Sequence, residues 1–240
     1  MTRIAVVGGG IAGTVLAWRI RQSWTWHRPE IDLFSGDRSA ADATAASGGA
    51  VRGFEIDPES ARIAAESLEE LRGSSELREW SGYRETGSVY LVPGHVAHGP
   101  GIQALDRILP GSVEVVAAAD LAKTFPFHAL PEETVGVFER HSGYYSPARL
   151  RNAVLARIGP SVTIVSSPAV EISLAPSVRT GDGTVRGYDV VVVAAGAWTP
   201  LLLEKSGISG TGFRTKQIQY SAFDVVLPGL VPFVEETSGF

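Results

Sequence analysis

The chain has 240 residues, 44% of them hydrophobic and 20% charged, the proportions of a folded globular protein with room for one large or two small domains. Its 21 basic and 26 acidic side chains leave a formal charge of −5, and no basic run stands out, so nucleic acid is not an expected partner. There is no cysteine, which excludes disulfides, thiolate metal sites and a cysteinyl link to a cofactor within this chain.

At the N-terminus, Arg3 followed by "IAVVGGGIAGTVLA" imitates the charged and apolar parts of a signal peptide. Three successive glycines and the early Arg19 argue against one. No apolar run approaches the ~20 residues that a membrane-spanning helix needs, and a cytoplasmic protein is expected. Ile4 to Val7 is a run of β-formers ended by glycine, which predicts a buried parallel strand. Ile11, Val15, Leu16 and Ile20 then recur at helical spacing, predicting a helix to about Gln22. A polar loop with Pro29 leads to a second strand, Ile31 to Phe34, completing a βαβ unit whose crossover should be right-handed.

"DPESARIAAESLEELRG" predicts a helix with Asp57 as N-cap, Pro58 in the first turn and Gly73 past the end. "TGSVYLVPG" (Thr86 to Gly94) reads as a longer antiparallel strand, half apolar and half polar. "SPARLRNAVLARIG" repeats the helix grammar with Ser146, Pro147 and Gly159, and Val162 to Val165 forms a strand. A hairpin turning on "TGDGT" follows, and then Val190 to Val193, uniformly apolar and so expected in the middle of a covered sheet. "RTKQIQYSAFDVV" (Arg214 to Val226) reads as another antiparallel strand. The alternation of α/β and strand-rich stretches predicts an α/β fold of two interleaved domains. One, of residues 1–84 and 140–206, is Rossmann-like; the other, of residues 85–139 and 207–240, is largely antiparallel. No internal repeat or low-complexity linker is present.

Gly8, Gly10 and Gly13 fit G-x-G-x-x-G between a strand and a helix, the context that gives this motif meaning. Gly8 permits the tight turn, Gly10 lets the backbone approach a pyrophosphate, and Gly13 allows close helix–strand packing. The phosphates would then meet the free N–H groups and dipole at the helix start, where Ile11 and Ala12 lie. An acid is expected at the end of the second strand for the ribose hydroxyls. "IDLFSGD" places Ser35 there instead, with Asp37 two residues on, so either the serine hydroxyl or Asp37 serves the ribose.

Four stretches in order resemble the FAD-dependent oxidoreductases of the D-amino-acid oxidase, glycine oxidase and sarcosine oxidase type. They are "IAVVGGGIAG", "AASGGAVRGFEID" (Ala45 to Asp57), "SGYYSPARLRNAVL" (Ser142 to Leu155) and "DVVVVAAGAWTPLL" (Asp189 to Leu202). The resemblance implies that Gly8, Gly10 and Gly13 meet the FAD pyrophosphate. It implies that Ser47, Gly48 and Gly49 lie near the phosphates and ring, that Val170 borders the adenine, and that Ala195 and Gly196 lie near the pyrophosphate. With no His or Cys between Asp42 and Ala50, FAD is expected to be held noncovalently.

The implied activity is oxidation of a C–N bond in an amino acid or secondary amine by hydride transfer to the flavin. The resulting imine is hydrolysed by water, and molecular oxygen is the reoxidant. Rival expectations are a dehydrogenase with another electron acceptor, a non-catalytic FAD-binding subunit that needs a partner chain, and a plain NAD(P) dehydrogenase. The three further family-like stretches weigh against the last.

Arg52 is the candidate catalytic side chain, since a cation beside the ring would stabilise the anionic reduced flavin; the alternative is an arginine packed across its own helix start. Lys216 and Gln217 are weaker candidates, and Tyr144 and Tyr145 either shape a substrate pocket or pack in a core. His95 and His98 are spaced H-x-x-H without a third ligand nearby, so no metal site is expected. There is no G-x-S-x-G and no P-loop lysine motif. The resemblance also implies more chain after "LVPGLVPFVEETSGF", including a last glycine-rich turn and helix. A fragment, a short gene product and half of a split enzyme are all compatible with this. Each predicts an exposed apolar surface for a second polypeptide or another copy.

Overall fold

The computed structural model describes residues 1–24, 27–36, 42–124, 130–209, 212–216, 224 and 233–235. By its internal contacts the chain divides into two units, Met1–Ser47 with Pro147–Phe223, and Gly48–Ser146 with Asp224–Phe240.

The first unit is built on a four-stranded parallel sheet in the order Val190–Val193, Arg3–Val7, Glu30–Phe34, Thr163–Val165. The predicted βαβ unit is present: Arg3–Val7 runs into the helix Ile11–Ser23, and the chain returns as Glu30–Phe34. Strand side chains alternate between faces. Ala5, Val7 and Phe34 enter a buried cluster with Val165, Ile172, Val178, Leu202 and Leu203. That cluster unites the sheet with a small antiparallel sheet (Ala169–Ser173, Ser177–Thr180, Val185–Gly187) and the helix Thr199–Lys205. Ile11–Ser23 packs on Pro147–Ile158, and it also contacts the first two strands.

The predicted hairpin is the pairing of Ser177–Thr180 with Val185–Gly187. Asp182 closes its turn by accepting from the Thr180 hydroxyl at 2.7 Å and the Thr184 N–H at 3.0 Å. These bonds, the Thr180 hydroxyl first, hold its carboxyl down at about 2. On the sheet, Asp32 accepts from the Tyr188 hydroxyl at 2.6 Å and from Arg186 Nη1 at 3.2 Å. Burial, and then this bond, raises the Tyr188 pKa.

One expectation is corrected here. Val190–Val193 is not in the middle of the sheet but at its edge, and Val190 is 44% exposed. A valine run reports a strand fit for burial on both faces, but only a neighbour on each side can bury it.

The second unit centres on a sheet in the order Phe233–Glu235, Ser88–Pro93, Thr134–Glu139, Val113–Ala117, parallel at the first pair and antiparallel at the others. Ser88–Pro93 is the strand expected within Thr86 to Gly94, yet it is buried on both faces rather than half-exposed. Tyr90 and Val92 face a cluster holding Phe54, Leu68, Leu105 and Val137, while Val89 and Leu91 face Leu121. Helices Pro58–Gly73 and Pro100–Ile108 supply the first layer and Ala118–Thr124 the second. Asp57 caps Pro58–Gly73 as predicted, accepting from the Ser60 N–H at 2.8 Å.

The strand expected from Arg214 is not formed at residues 214–216, which carry no regular structure and are exposed, Lys216 among them. Gln217 and most of that stretch lie outside the described residues. No described helix is long and apolar enough to cross a membrane.

Candidate functional site

The turn between Arg3–Val7 and Ile11–Ser23 is closed to side chains. Gly8 has φ +127°, and a Cβ there would lie 2.1 Å from the Ala194 carbonyl oxygen. At Gly13 a Cβ would lie 1.9 Å from the Gly8 carbonyl oxygen, so the helix start and the turn touch through backbone alone. Gly9 is equally constrained, with a Cβ 2.6 Å from Ser35 Cα. The motif leaves that position free, so sequence reasoning missed it.

Helix Ile11–Ser23 begins at Gly10, which offers no side-chain cap, and its first turn has no acidic residue. The Ile11 N–H donates to Thr44 Oγ1 at 3.0 Å, while the Thr14 N–H closes the first turn onto the Gly10 carbonyl. Ile11, Ala12 and Gly13 therefore hold the N–H groups that precede the first full helical bond. Thr44 is buried in the short helix Ala43–Ala46, and the sequence reading missed it too. Its segment is fixed by Asp42, which accepts from the Ala45 N–H at 2.7 Å and from Arg151 Nη1 at 2.6 Å.

These elements meet at the carboxyl ends of the parallel strands. The Gly8 N–H donates to the Phe34 carbonyl, and the Ala194 N–H to the Val7 carbonyl. From the first strand the sheet grows one way to Glu30–Phe34 and the other way to Val190–Val193, which is the topological switch point where open α/β sheets bind ligands. Ser35 and Ala195 border this point. The Ser35 N–H donates to the Val165 carbonyl at 3.0 Å, and its hydroxyl lies 3.4 Å from the same oxygen.

Asp37 lies outside the described residues. Asp32 is occupied by Tyr188 and Arg186 further back along the strand. Val170 is half-buried in Ala169–Ser173, next to Pro168, which packs against Gly36. Ala195 packs against the core, whereas Gly196 is exposed with φ +56° at the start of the 3₁₀ turn Gly196–Trp198. Ser47 ends the first segment of this unit and is exposed.

A glycine turn at a helix start, with only the Thr44 hydroxyl on its first N–H and no acidic side chain in the first turn, fits the pyrophosphate of a dinucleotide. It would fit an apolar ligand poorly.

Gly48, Gly49 and Arg52 belong to the second unit. Gly48 is exposed, with open space where a Cβ would be. Gly49 has φ +69°, and its carbonyl accepts from the Tyr145 N–H at 2.9 Å. Arg52 is held by its own segment: Nε donates to the Phe54 carbonyl and Nη2 to Glu55, both at 3.1 Å. Its guanidinium carbon stands 4.8 Å from the centre of the Tyr90 ring. Tyr144 is half-exposed between Ala50 and Arg84, and burial raises the pKa of Tyr145. Among the described residues no group of three or more His, Asp or Glu is placed to hold a metal.

The sequence matches the family of FAD dependent oxidoreductases (DAO) over residues 3–233. No curated protein matches it in sequence. Solved structures share the fold at low identity. L-proline dehydrogenase from P. horikoshii aligns with TM-score 0.69 at 18% identity, over 86% of this chain and 56% of that one. Glycine oxidase from Geobacillus kaustophilus gives 0.63 at 20%, over 87% and 60%. L-amino acid deaminase from Proteus vulgaris gives 0.60 at 18%, over 85% and 49%. The chain thus spans 49% to 60% of the length of these three structures. With a family match over nearly its whole length, the chain belongs to the FAD dependent oxidoreductases.

Proposed function

We propose that this chain binds FAD noncovalently and takes part in oxidising a C–N bond of an amino acid or secondary amine. The supporting observation is the Gly8–Gly13 turn, which packs against the Ala194 carbonyl, Ser35 and its own backbone too closely for a Cβ at Gly8, Gly9 or Gly13 and leads straight into a helix start. Gly8, Gly10, Ile11, Ala12 and Gly13 receive the pyrophosphate, with Ala195 and Gly196 on its other side. Ser35 or Asp37 binds the ribose, Val170 borders the adenine, and Ser47, Gly48 and Gly49 admit the flavin. Residues 1–84 and 140–206 serve the cofactor, and 85–139 with 207–240 serve the substrate. This division by role cuts across the unit that contacts define as Gly48–Ser146 with Asp224–Phe240.

When bound, FAD supplies the hydride acceptor for C–N oxidation. Arg52 would supply a fixed positive charge to the bound flavin, and the bonds that hold its Nε and Nη2 would keep it in place with little reorganisation. Water then hydrolyses the imine released from the substrate. We assign molecular oxygen as reoxidant. The solved neighbours include both a dehydrogenase and an oxidase, so reoxidation in air decides between an oxidase and another acceptor.

A second reading, an FAD-binding subunit completed by a partner chain, is favoured by exposed apolar side chains. Trp198, Leu201 and Phe213 are 63%, 44% and 62% exposed. The test is a visible spectrum after reconstitution with FAD, followed by anaerobic addition of an amino-acid panel. Bleaching by one substrate supports turnover by this chain. Bound flavin that bleaches only after a partner is added supports the second reading, and failure to take up FAD removes both.

A further inference from the structure

Among the described residues, Glu139 is the one carboxylic acid in the fully buried set, at 1% exposure. It ends the strand Thr134–Glu139. Its Oε2 accepts from the Gly53 N–H at 2.8 Å, while Oε1 has no hydrogen-bond partner among the described residues. A buried carboxyl with one oxygen unpaired costs stability, and packing alone would be served as well by an apolar side chain. Burial pushes its pKa up; the N–H groups of Gly53 and Phe54, the nearby Ser142 hydroxyl and the Arg52 charge oppose that shift.

Gly53 and Phe54, the residues that Glu139 faces, directly follow Arg52. Arg52 holds the same segment through a second bond, donating Nε–H to the Phe54 carbonyl at 3.1 Å. Its guanidinium lies over Tyr90, whose ring meets Phe54 edge-on at 5.2 Å. The joint is closely packed, and a Cβ on Gly53 would come within 2.7 Å of Leu105 Cδ1. One short peptide segment is thus held between a buried acid and the arginine that precedes it.

We infer that Glu139 is a positioning residue: by fixing the peptide that joins Arg52 to Gly53 it fixes the direction in which Arg52 presents its guanidinium. This depends on the proposal that Arg52 lies beside the flavin. An apolar residue at 139 would fill the space but offer the Gly53 N–H no acceptor, so the turn carrying Arg52 would gain freedom.

The test uses the full chain and two readouts: hydrogen exchange at the Gly53 and Phe54 amides without flavin, and the flavin midpoint potential after reconstitution. Glu139→Ala should speed exchange at these amides by about tenfold or more. It should also lower the midpoint potential in the same direction as Arg52→Met, because the cation is no longer held in place. Glu139→Gln keeps a carbonyl oxygen for the Gly53 N–H and should leave both readouts near wild type. If Glu139→Ala does not fold, Glu139→Asp, which withdraws the carboxyl by one methylene, carries the same expectation at smaller size.

Unchanged exchange in the Ala or Asp variant, or a Gln variant as affected as Ala, overturns the inference. A potential moved by Arg52→Met but not by the Ala or Asp variant overturns it while leaving Arg52 at the flavin. A potential that none of them moves, or a wild-type chain that takes up no flavin, removes the flavin proposal and the inference with it.

Discussion

The glycine turn is sharply constrained at single positions. An alanine at position 8 would need φ +127° and a Cβ 2.1 Å from the Ala194 oxygen. Gly8→Ala should therefore cost about 2–4 kcal/mol in urea unfolding and abolish FAD uptake. Gly48 has open space around it, so Gly48→Ala should unfold within about 0.5 kcal/mol of wild type; a drop in its flavin affinity alone would mark a ligand approaching that backbone. Glu139 gives a pH signature. Because burial raises its pKa above the ordinary glutamate value of 4.5, its contribution to stability is greatest below that value and is lost as pH rises through the folded pKa. Wild type should thus lose stability relative to Glu139→Gln as pH rises from about 4.5 into the neutral range, as read by denaturant unfolding at each pH; a constant difference would show that the group does not titrate differently on folding. Gly8 and Gly13 were legible because turn stereochemistry is local. Thr44 was not, since its partner Ile11 is 33 residues away and nothing in "DATAAS" announces a hydroxyl at a helix start.

At the level of elements, the sequence spoke most clearly where caps and periodicity coincide, as in Pro58–Gly73 with Asp57 before it. It was silent on the helix Ser75–Ser81, which follows almost without a break. Ser74 makes that junction: its N–H closes the first helix onto the Glu70 carbonyl, and its Oγ accepts from the Leu77 N–H at 3.1 Å to start the second. Ser74→Ala should lower stability by about 1 kcal/mol in denaturant unfolding, and no loss would mean that the cap is replaced by solvent. Strand burial was harder to read than strand existence. Ser88–Pro93 looked half-exposed because Ser88 and Pro93 bracket it, yet helices lie on both of its faces. Val190–Val193 looked central and stands at an edge. Composition says what a strand can tolerate, whereas neighbours contributed from elsewhere in the chain decide what it receives.

For the whole molecule, the α/β class and the family were legible because four motif stretches fall in order along the chain. The electron acceptor and substrate were not, because they depend on side chains without local signatures. The half-exposed Val190 and the exposed Trp198, Leu201 and Phe213 predict association. Sedimentation of wild type should give a mass above that of one 25.4 kDa chain, or a mixture. Trp198→Ser with Phe213→Ser should shift it toward the single chain; a wild-type monomer would sink this expectation. The order of the parallel sheet has a further consequence, for synthesis. Arg3–Val7 emerges first, gains Glu30–Phe34 soon after, but pairs on its other side only with Val190–Val193. At ribosomal rates of about 5–20 residues per second, the roughly 185 residues between them take on the order of 10–40 s to make. For that interval one side of the first strand, beside the glycine turn, has no native partner. Nascent chains arrested before residue 190 should therefore recruit chaperones more strongly than chains released after it.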